Sequence, residues 1–190
     1  GFSKYKTALA SASFLMECVE RVVPDIIVLA SSGIAVSSNN EVAEKTSGSP
    51  DLFGTEESLA HGKRVLERAC WELSRQFDLS VSVLRIFSCY GPYLPTDLHY
   101  AFGNFIGNAF RGEDIIVNSD GQSKRSYIYA SDLISMLCLE VSRQLKNPSA
   151  NSEFNVVNLG SEVAISIAEL AGLIGSFSPK ARVSVRVLGE

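Results

Sequence analysis

The segment VSVLRIFSCYGPYLPTDLHYAFGNFIGNAFRGEDIIVNSDGQSKRSYIYASD, residues 81–132, decides the fold of this chain. It begins with an apolar run of strand length, residues 81–87, and this strand is broken at Gly91-Pro92. An amphipathic helical segment and two short strand-like runs follow before Ser131-Asp132. Ligands of an open parallel sheet bind beyond the carboxyl ends of its strands. The break after the first strand therefore predicts the mouth of a ligand site.

The sequence on the amino-terminal side of this segment alternates between helix and strand patterns. Apolar residues at helical spacing predict helices over 3–21 and 58–77, and the unbroken apolar run 26–30 predicts a strand that is buried on both faces. This order is typical of βαβ units, in which crossover helices join parallel strands. We therefore expect an α/β fold in which residues 1–92 form part of a doubly wound, Rossmann-like parallel sheet.

The pattern changes after residue 92, where short strands alternate with helices. Strands are predicted over 115–117, 127–129, 154–158 and 183–187, and helices over 103–111, 131–145 and 166–174. The polar stretch 37–57 is predicted to be a loop. We expect residues 93–190 to form a small α+β lobe that binds substrate and is interleaved with the sheet domain.

Composition and charge exclude several classes of function. The 190 residues carry a net charge of −4, so the sequence predicts no basic surface for nucleic acid. No apolar run reaches the length of about 18 residues that a membrane-spanning helix needs. Four widely spaced cysteines predict reduced core residues of a cytoplasmic protein, with no disulfide and no metal site: Cys18, Cys70, Cys89 and Cys138.

Five short motifs occur in a fixed order along the chain. They are Ala30-Ser31-Ser32-Gly33; Lys63 with Glu67; Arg85-Ile86-Phe87-Ser88-Cys89-Tyr90-Gly91-Pro92; Gly121 with Arg125-Ser126-Tyr127-Ile128-Tyr129 and Asp132; and Asn158-Leu159-Gly160-Ser161 with Ser166-Ile167-Ala168-Glu169-Leu170. Together they cover nearly the whole chain. In this order and spacing the chain resembles the extended short-chain dehydrogenase/reductase family, and within it the NAD-dependent nucleotide-sugar epimerases and dehydratases.

The resemblance implies which residues transfer the proton and bind the cofactor. In such enzymes a serine binds the sugar oxygen that is oxidised, a tyrosine takes its proton, and a lysine lowers the pKa of that tyrosine. On this resemblance Ser32 is the catalytic serine, and Lys63 is the catalytic lysine that also holds the ribose of NAD(P). Ser31, Tyr90 and Pro92 are the other residues that the resemblance places beside the cofactor.

The resemblance also implies a nucleotide-diphosphate sugar as the substrate. Arg125 is expected to hold the diphosphate, because a guanidinium suits bidentate phosphate recognition. Asn104 is expected to contact the diphosphate or the sugar. The alternatives are an ordinary strand-edge arginine and a plain residue at a helix start, and Asp132 is expected to be a helix cap rather than a ligand. Residues 94–106, LPTDLHYAFGNFI, look like a bacterial subgroup that is associated with surface-polysaccharide pathways.

Two departures from the family pattern concern catalysis and the cofactor. Leu59 stands four residues before Lys63, where the family has its tyrosine, and leucine can neither donate nor accept a proton. His61 is an alternative base, but a residue two positions from Lys63 is expected on a different helix face. The glycine-rich turn that binds a dinucleotide pyrophosphate does not occur in residues 1–190, so we expect a chain truncated at its N-terminus relative to the family.

These patterns together predict an NAD(P)-dependent epimerase/dehydratase homologue for a nucleotide-diphosphate sugar that is catalytically impaired in this chain. NAD(P) is expected to bind only if the missing N-terminal half is supplied. The alternative is a non-catalytic nucleotide-sugar-binding remnant or a structural partner of another chain. Helices 3–21 and 58–77 match the dimer helices of the family, and an unpaired sheet edge invites association, so a homo-oligomer is expected.

Overall fold

The computed structural model describes residues 2–36, 57–98, 100–146 and 153–186. The loop predicted over 37–57 lies outside these residues except at Glu57. In chain order the elements are α1 (Phe2–Arg21), β1 (Ile26–Ser32), α2 (Ser58–Phe77), β2 (Ser80–Ile86), β3 (Ser88–Tyr90), α3 (Ala101–Arg111), β4 (Ile115–Val117), β5 (Lys124–Tyr129), α4 (Ala130–Lys146), β6 (Phe154–Leu159), β7 (Ala164–Ser166), α5 (Ile167–Ser176) and β8 (Val183–Val185).

Three of these strands form a parallel sheet in the order β1-β2-β6. Ser31 of β1 lies opposite Arg85 of β2, which in turn lies opposite Asn158 of β6. Residues 81–84 of the middle strand are buried. A central parallel strand is covered on both faces, which is why this stretch of the sequence is a nearly continuous apolar run. The predicted parallel sheet is confirmed.

α2 packs on one face of this sheet, and α1 packs mainly against α2. Val19 of α1 and Cys70 and Leu73 of α2 meet Val81 and Val83 of β2 in one buried cluster. The α2 residues are three apart and the β2 residues are two apart, so each element buries a single face. The apolar faces that the sequence pattern predicts thus form the hydrophobic core on this side of the sheet.

The opposite face of the sheet is covered by α4, and a polar network fixes that packing. Ser82, which is fully buried on β2, donates to Glu140 and accepts a 2.7 Å hydrogen bond from Gln144 Nε2. Arg143 donates to Glu140 at 2.8 Å and to Glu153 at 3.0 Å. The hydrogen bond from Arg143 is the main reason why the pKa of Glu140 is held at about 2. Because buried polar groups need partners, this network sets the register of α4 on the sheet.

The other strands build a smaller lobe with a second, separate core. β5 pairs with β3 in parallel and with β7 in antiparallel fashion, and β4 pairs with β8. The hydrophobic core of the lobe is a cluster of six buried residues: Phe105, Ile115, Val117, Leu170, Ala171 and Ile174. Ser166 begins α5 with a capping box, since its hydroxyl accepts from Glu169 N at 3.1 Å and the Glu169 carboxylate accepts from Ser166 N at 2.7 Å.

The prediction that the cysteines lie in the core is wrong for three of the four residues. Cys70 lies in the sheet core, whereas the exposed cysteines are Cys18, Cys89 and Cys138. Cys18 and Cys138 lie on α1 and α4, whose outer faces are not packed against the described part of the chain. Sequence composition alone does not reveal which face of a helix is covered.

Two predictions about helix starts also need correction. Asp132 lies inside α4, which begins at Ala130, so it is not the cap; its carboxylate lies in the first turn, where negative charge is favoured. Asn104 is a full turn inside α3, which begins at Ala101 and not at residue 103. Within the described ranges, no helix is long and apolar enough to cross a membrane, and no group of three metal-ligand side chains occurs.

Candidate active site

A cavity of about 590 Å³ lies where β1 ends and α2 begins. Its walls come from both the sheet and the lobe, and its lining includes Ser32, Leu59, Ser88, Phe102, Arg125 and Tyr127. Among the described residues that line it, Arg125 has the one charged side chain. The cavity is therefore mainly apolar with a few polar groups, which is the usual character of a small-molecule site.

Ser32 is the last residue of β1 and is held in an extended conformation. Its hydroxyl oxygen accepts a 3.4 Å hydrogen bond from Ile34 N. This bond caps the short 3₁₀ turn Gly33–Ala35. A side chain at the following residue, Gly33, would meet the ring of Phe87 at 2.6 Å. Glycine therefore lets the chain turn tightly against Phe87, and this turn leaves Ser32 on the cavity wall.

Leu59 lines the same cavity as Ser32, from the first turn of α2. The family resemblance places a proton-transferring tyrosine at this position. The leucine side chain offers neither a donor nor an acceptor. The structure therefore places a hydrocarbon side chain on the cavity wall at the position where the resemblance predicts a phenol.

Lys63 follows Leu59 by one helical turn and lies against the backbone of β1. Its ammonium group donates to the Ala30 carbonyl oxygen at 3.4 Å. The lysine side chain is half-buried and is not among the residues that line the cavity. The structure brings Lys63 close to the end of β1 but does not bring it into the cavity with Ser32.

Ser31 was expected beside the cofactor, but its side chain is turned to the other side of β1. It is 5% exposed, and its hydroxyl donates to Glu67 Oε1 at 2.6 Å. The Glu67 carboxylate also accepts from Arg85 Nε at 3.0 Å and from an Arg85 terminal nitrogen at 2.6 Å. Adjacent strand residues point to opposite faces of a sheet. Ser31 therefore donates a hydrogen bond to the buried ion pair of Glu67 and Arg85, while Ser32 lines the cavity.

Arg125 and Tyr127 enter the cavity from β5. One terminal nitrogen of Arg125 donates to Ser123 Oγ at 2.9 Å and to the Lys124 carbonyl oxygen at 3.0 Å, which holds the guanidinium beside the strand. Burial raises the pKa of the Tyr127 phenol, while the positive charge of Arg125 opposes that rise. Tyr127 was missed at the sequence level, although its spacing of two from Arg125 on a strand places both on one face.

Tyr90 and Pro92, the other expected cofactor residues, line a neighbouring cavity of about 390 Å³. The ring of Phe102 belongs to the walls of both cavities. Its centroid lies 4.8 Å from that of Tyr90 and 5.7 Å from that of Tyr127, so the aromatic rings form a packed partition. The structure thus places Tyr90 and Pro92 behind this partition, apart from Ser32.

Asn104 lines a further cavity of about 500 Å³, together with Asn118 and Ser119. This cavity shares Tyr100, Ala101 and Ile167 with the one that holds Arg125. The two residues that were expected to bind substrate therefore occupy adjoining cavities, separated by shared walls of α3 and α5.

The family model that describes the NAD dependent epimerase/dehydratase family matches residues 5–160. The chain belongs to this family. Among curated proteins, UDP-glucuronic acid decarboxylase 3 of Arabidopsis thaliana is 30% identical over 122 residues, which are 64% of this chain and 34% of that protein. UDP-glucuronic acid decarboxylase 1 of Xenopus tropicalis is 31% identical over 132 residues, which are 70% of this chain and 30% of that protein.

Solved structures share the fold of the family member described here. The UDP-glucuronic acid 4-epimerase of Bacillus cereus, in complex with UDP-glucuronic acid and NAD, superposes with a TM-score of 0.73 at 19% identity over 95% of this chain and 54% of that chain. The dTDP-glucose 4,6-dehydratase of Bacillus anthracis in complex with NAD gives 0.75 at 18% identity, over 98% and 57%. The chain thus spans about a third of its curated relatives and about half of these structures. The predicted Rossmann-like α/β fold is confirmed.

Proposed function

We propose that this chain carries the sugar-nucleotide side of an NAD-dependent nucleotide-sugar epimerase/dehydratase. The observation that supports this most directly is the single cavity that holds Ser32 and Arg125. A serine hydroxyl can bind a sugar oxygen, and a guanidinium can bind a diphosphate in bidentate fashion. A ligand that contains both groups fits such a cavity. Enzymes of this fold with bound UDP-glucuronic acid support the same ligand class.

The adjoining cavities support a ligand with two parts. The sugar would occupy the cavity of Ser32, with the diphosphate at Arg125. The nucleoside would extend into the second cavity, where Asn104 and Asn118 offer amide donors and acceptors. In this proposal residues 93–190 act as the substrate-binding lobe and residues 1–92 present the serine.

The proposed cofactor is NAD(P), which would accept a hydride from the sugar when it is bound. Lys63 would hold its ribose, and Tyr90 and Pro92 would line its nicotinamide end. The fit of these residues is partial, because the Lys63 ammonium contacts the Ala30 carbonyl and the aromatic partition separates Tyr90 from Ser32. We therefore expect NAD(P) binding to need the glycine-rich half of the family fold, supplied by further sequence or by another chain.

We further propose that this chain is catalytically impaired. Proton transfer needs a titratable group within hydrogen-bond reach of the sugar hydroxyl. Leu59 occupies the wall where that group belongs. Ser32 can orient the sugar hydroxyl. It cannot replace a phenol as the base, because a serine hydroxyl loses its proton far less readily than a phenol does.

A nucleotide-sugar-binding protein without turnover, or a structural partner, is the second candidate. Leu59 favours it, and so does the outer edge of β1, which has no strand partner within the described residues. Exposed apolar side chains on α1 and α2, including Leu9, Phe14 and Trp71, support a homo-oligomer. The surface-polysaccharide pathway and the cytoplasmic location expected from the sequence stay predictions.

Calorimetry with UDP, a UDP-sugar and NAD distinguishes these candidates. We expect UDP and the UDP-sugar to bind and NAD alone to bind weakly or not at all. Binding of NAD with the UDP-sugar would favour the enzyme, and binding of the UDP-sugar alone would favour the remnant. If none of them binds, the proposed function is wrong and a structural role remains.

Turnover assays test the impairment. NAD together with UDP-, dTDP-, GDP- and CDP-sugars should yield no epimerised or dehydrated product from the purified chain. Product formation at a rate well above a no-protein control would contradict the role given to Leu59.

A further inference from the structure

Three residues of α2 that are spaced four apart, Leu59, Lys63 and Glu67, all lie near the end of β1. Leu59 shares the cavity wall with Ser32, the Lys63 ammonium lies 3.4 Å from the Ala30 carbonyl oxygen, and Glu67 accepts from the Ser31 hydroxyl at 2.6 Å. Residues four apart lie above one another on a helix. One stripe of α2 is thus aligned with the end of β1.

Glu67 is the most constrained member of this stripe. Its carboxylate accepts two hydrogen bonds from Arg85 and one from Ser31, and it is 7% exposed. The ion pair with Arg85 is largely buried, with side-chain exposures of 14% for Arg85 and 9% for Glu67. The three partners come from α2, β1 and β2, so the network ties the helix to both strands at once.

A buried ion pair of this kind is poor evidence for stability. The cost of desolvating two charges offsets most of their attraction, and a well-packed apolar substitute is often as stable. What the bidentate geometry does supply is a fixed position, because two parallel hydrogen bonds allow little rotation or sliding of the helix. This points to a role in positioning rather than in stabilising the sheet.

We propose that Glu67 and Arg85 are positioning residues, which set the distance and rotation of the 59-63-67 stripe of α2 against Ser32. This inference rests on the proposed function, because that function is what gives residues 59 and 63 a role beside Ser32. It goes beyond that proposal by naming residues that touch neither the sugar nor the cofactor.

The test introduces a spectroscopic reporter at position 59 and needs no ligand. The phenol introduced by Leu59→Tyr is titrated by its absorbance at about 295 nm, as the difference from the unsubstituted chain. Lys63, one turn away, should hold its pKa below the ordinary value of about 10. Among the described residues, the other charged or titratable side chains that share the cavity with position 59 or lie two residues from it are Glu57, His61, Cys89, Tyr100, Arg125 and Tyr127, and every variant keeps them.

Arg85→Lys in this background keeps the charge and removes the bidentate geometry. Positioning predicts that the phenol pKa rises by about half a unit or more, because Lys63 no longer sits at a fixed distance. Arg68→Lys is the matched control: Arg68 lies on the same helix and pairs with Glu72 at 2.5 Å, but both side chains are exposed. That control should leave the phenol pKa unchanged.

Glu67→Gln separates positioning from simple electrostatics by the sign of the shift. Loss of a nearby negative charge, with the helix unmoved, would lower the phenol pKa, whereas loss of position would raise it. If Arg85→Lys or Glu67→Gln fails to fold, Ser31→Ala removes one hydrogen bond and leaves the ion pair, and a smaller rise is expected. An unchanged or lowered phenol pKa in folded variants would overturn the inference. Failure of UDP to bind would overturn the proposed function and leave this result standing.

Discussion

The two ends of the cavity between the sheet and the lobe differ in what they can do. At the lobe end, Arg125 and Tyr127 offer a cation and a phenol whose pKa is raised by burial. At the sheet end, Ser32 and Leu59 line the cavity, and the buried charges of Glu67 and Arg85 form an ion pair with each other. In the proposed function, the lobe end binds an anion and the sheet end lacks the group that would transfer a proton.

From this difference we infer that substrate binding and catalysis can be separated in this fold. Binding energy that is equal in the ground state and the transition state gives affinity without rate. The two ends also rest on different hydrophobic cores, one around Val83 and one around Leu170. A substitution can therefore affect one end of the cavity without affecting the other. Three substitutions test this.

The largest effect is expected from Leu170→Ala in the core of the lobe. Leu170 is 2% exposed, and removal of such a side chain leaves a cavity that costs about 2–5 kcal/mol. Urea denaturation should show a lower midpoint. Leu173→Ala, on the same helix at 55% exposure, is the control and should change the free energy of unfolding by less than about 0.5 kcal/mol. Equal losses in both variants would show that the lobe core is not where the structure puts it.

An intermediate effect is expected from Arg125→Ala at the lobe end of the cavity. Loss of charge-assisted hydrogen bonds of about 2 kcal/mol should weaken UDP binding about 30-fold, as measured by calorimetry. Arg182→Ala removes an exposed arginine outside the cavity and should leave the affinity unchanged. A change of less than threefold for Arg125→Ala would assign the arginine to the strand edge and not to the ligand.

The smallest effect is expected at Glu140 of α4, which contacts Ser82 on β2. Its pKa is lowered from 4.5 to about 2, so its charge contributes stability that is complete above about pH 4.5 and is lost as the pH falls toward 2. Glu140→Gln should be less stable than the parent near pH 6, and the gap between their urea midpoints should narrow at about pH 3. Glu20→Gln, on the exposed part of α1, is the control. If the gap does not depend on pH, the charge of Glu140 does not contribute to the loss of stability in acid.

Sequence patterns predicted the regular elements closely where one periodicity dominates. The predicted bounds of α2 and β4 match the structure residue for residue, because a clear apolar stripe or run begins and ends between polar residues. The patterns could not say which faces are covered, so Cys18, Cys89 and Cys138 were assigned to a core that does not reach them. The two adjacent serines at the end of β1 were likewise given one environment although they face opposite sides.

The sequence by itself determined the family motifs, the leucine in place of a tyrosine, and the order of strands and helices apart from the short strands β3 and β7, which were not predicted. These features depend on residue type and spacing, which local backbone geometry converts directly into elements and faces. Only the tertiary structure decided that Ser32 and Arg125 share a cavity, that Ser31 turns to Glu67, and that an aromatic partition stands before Tyr90. Such contacts join residues far apart in the chain, and they follow from how the sheet and the lobe pack.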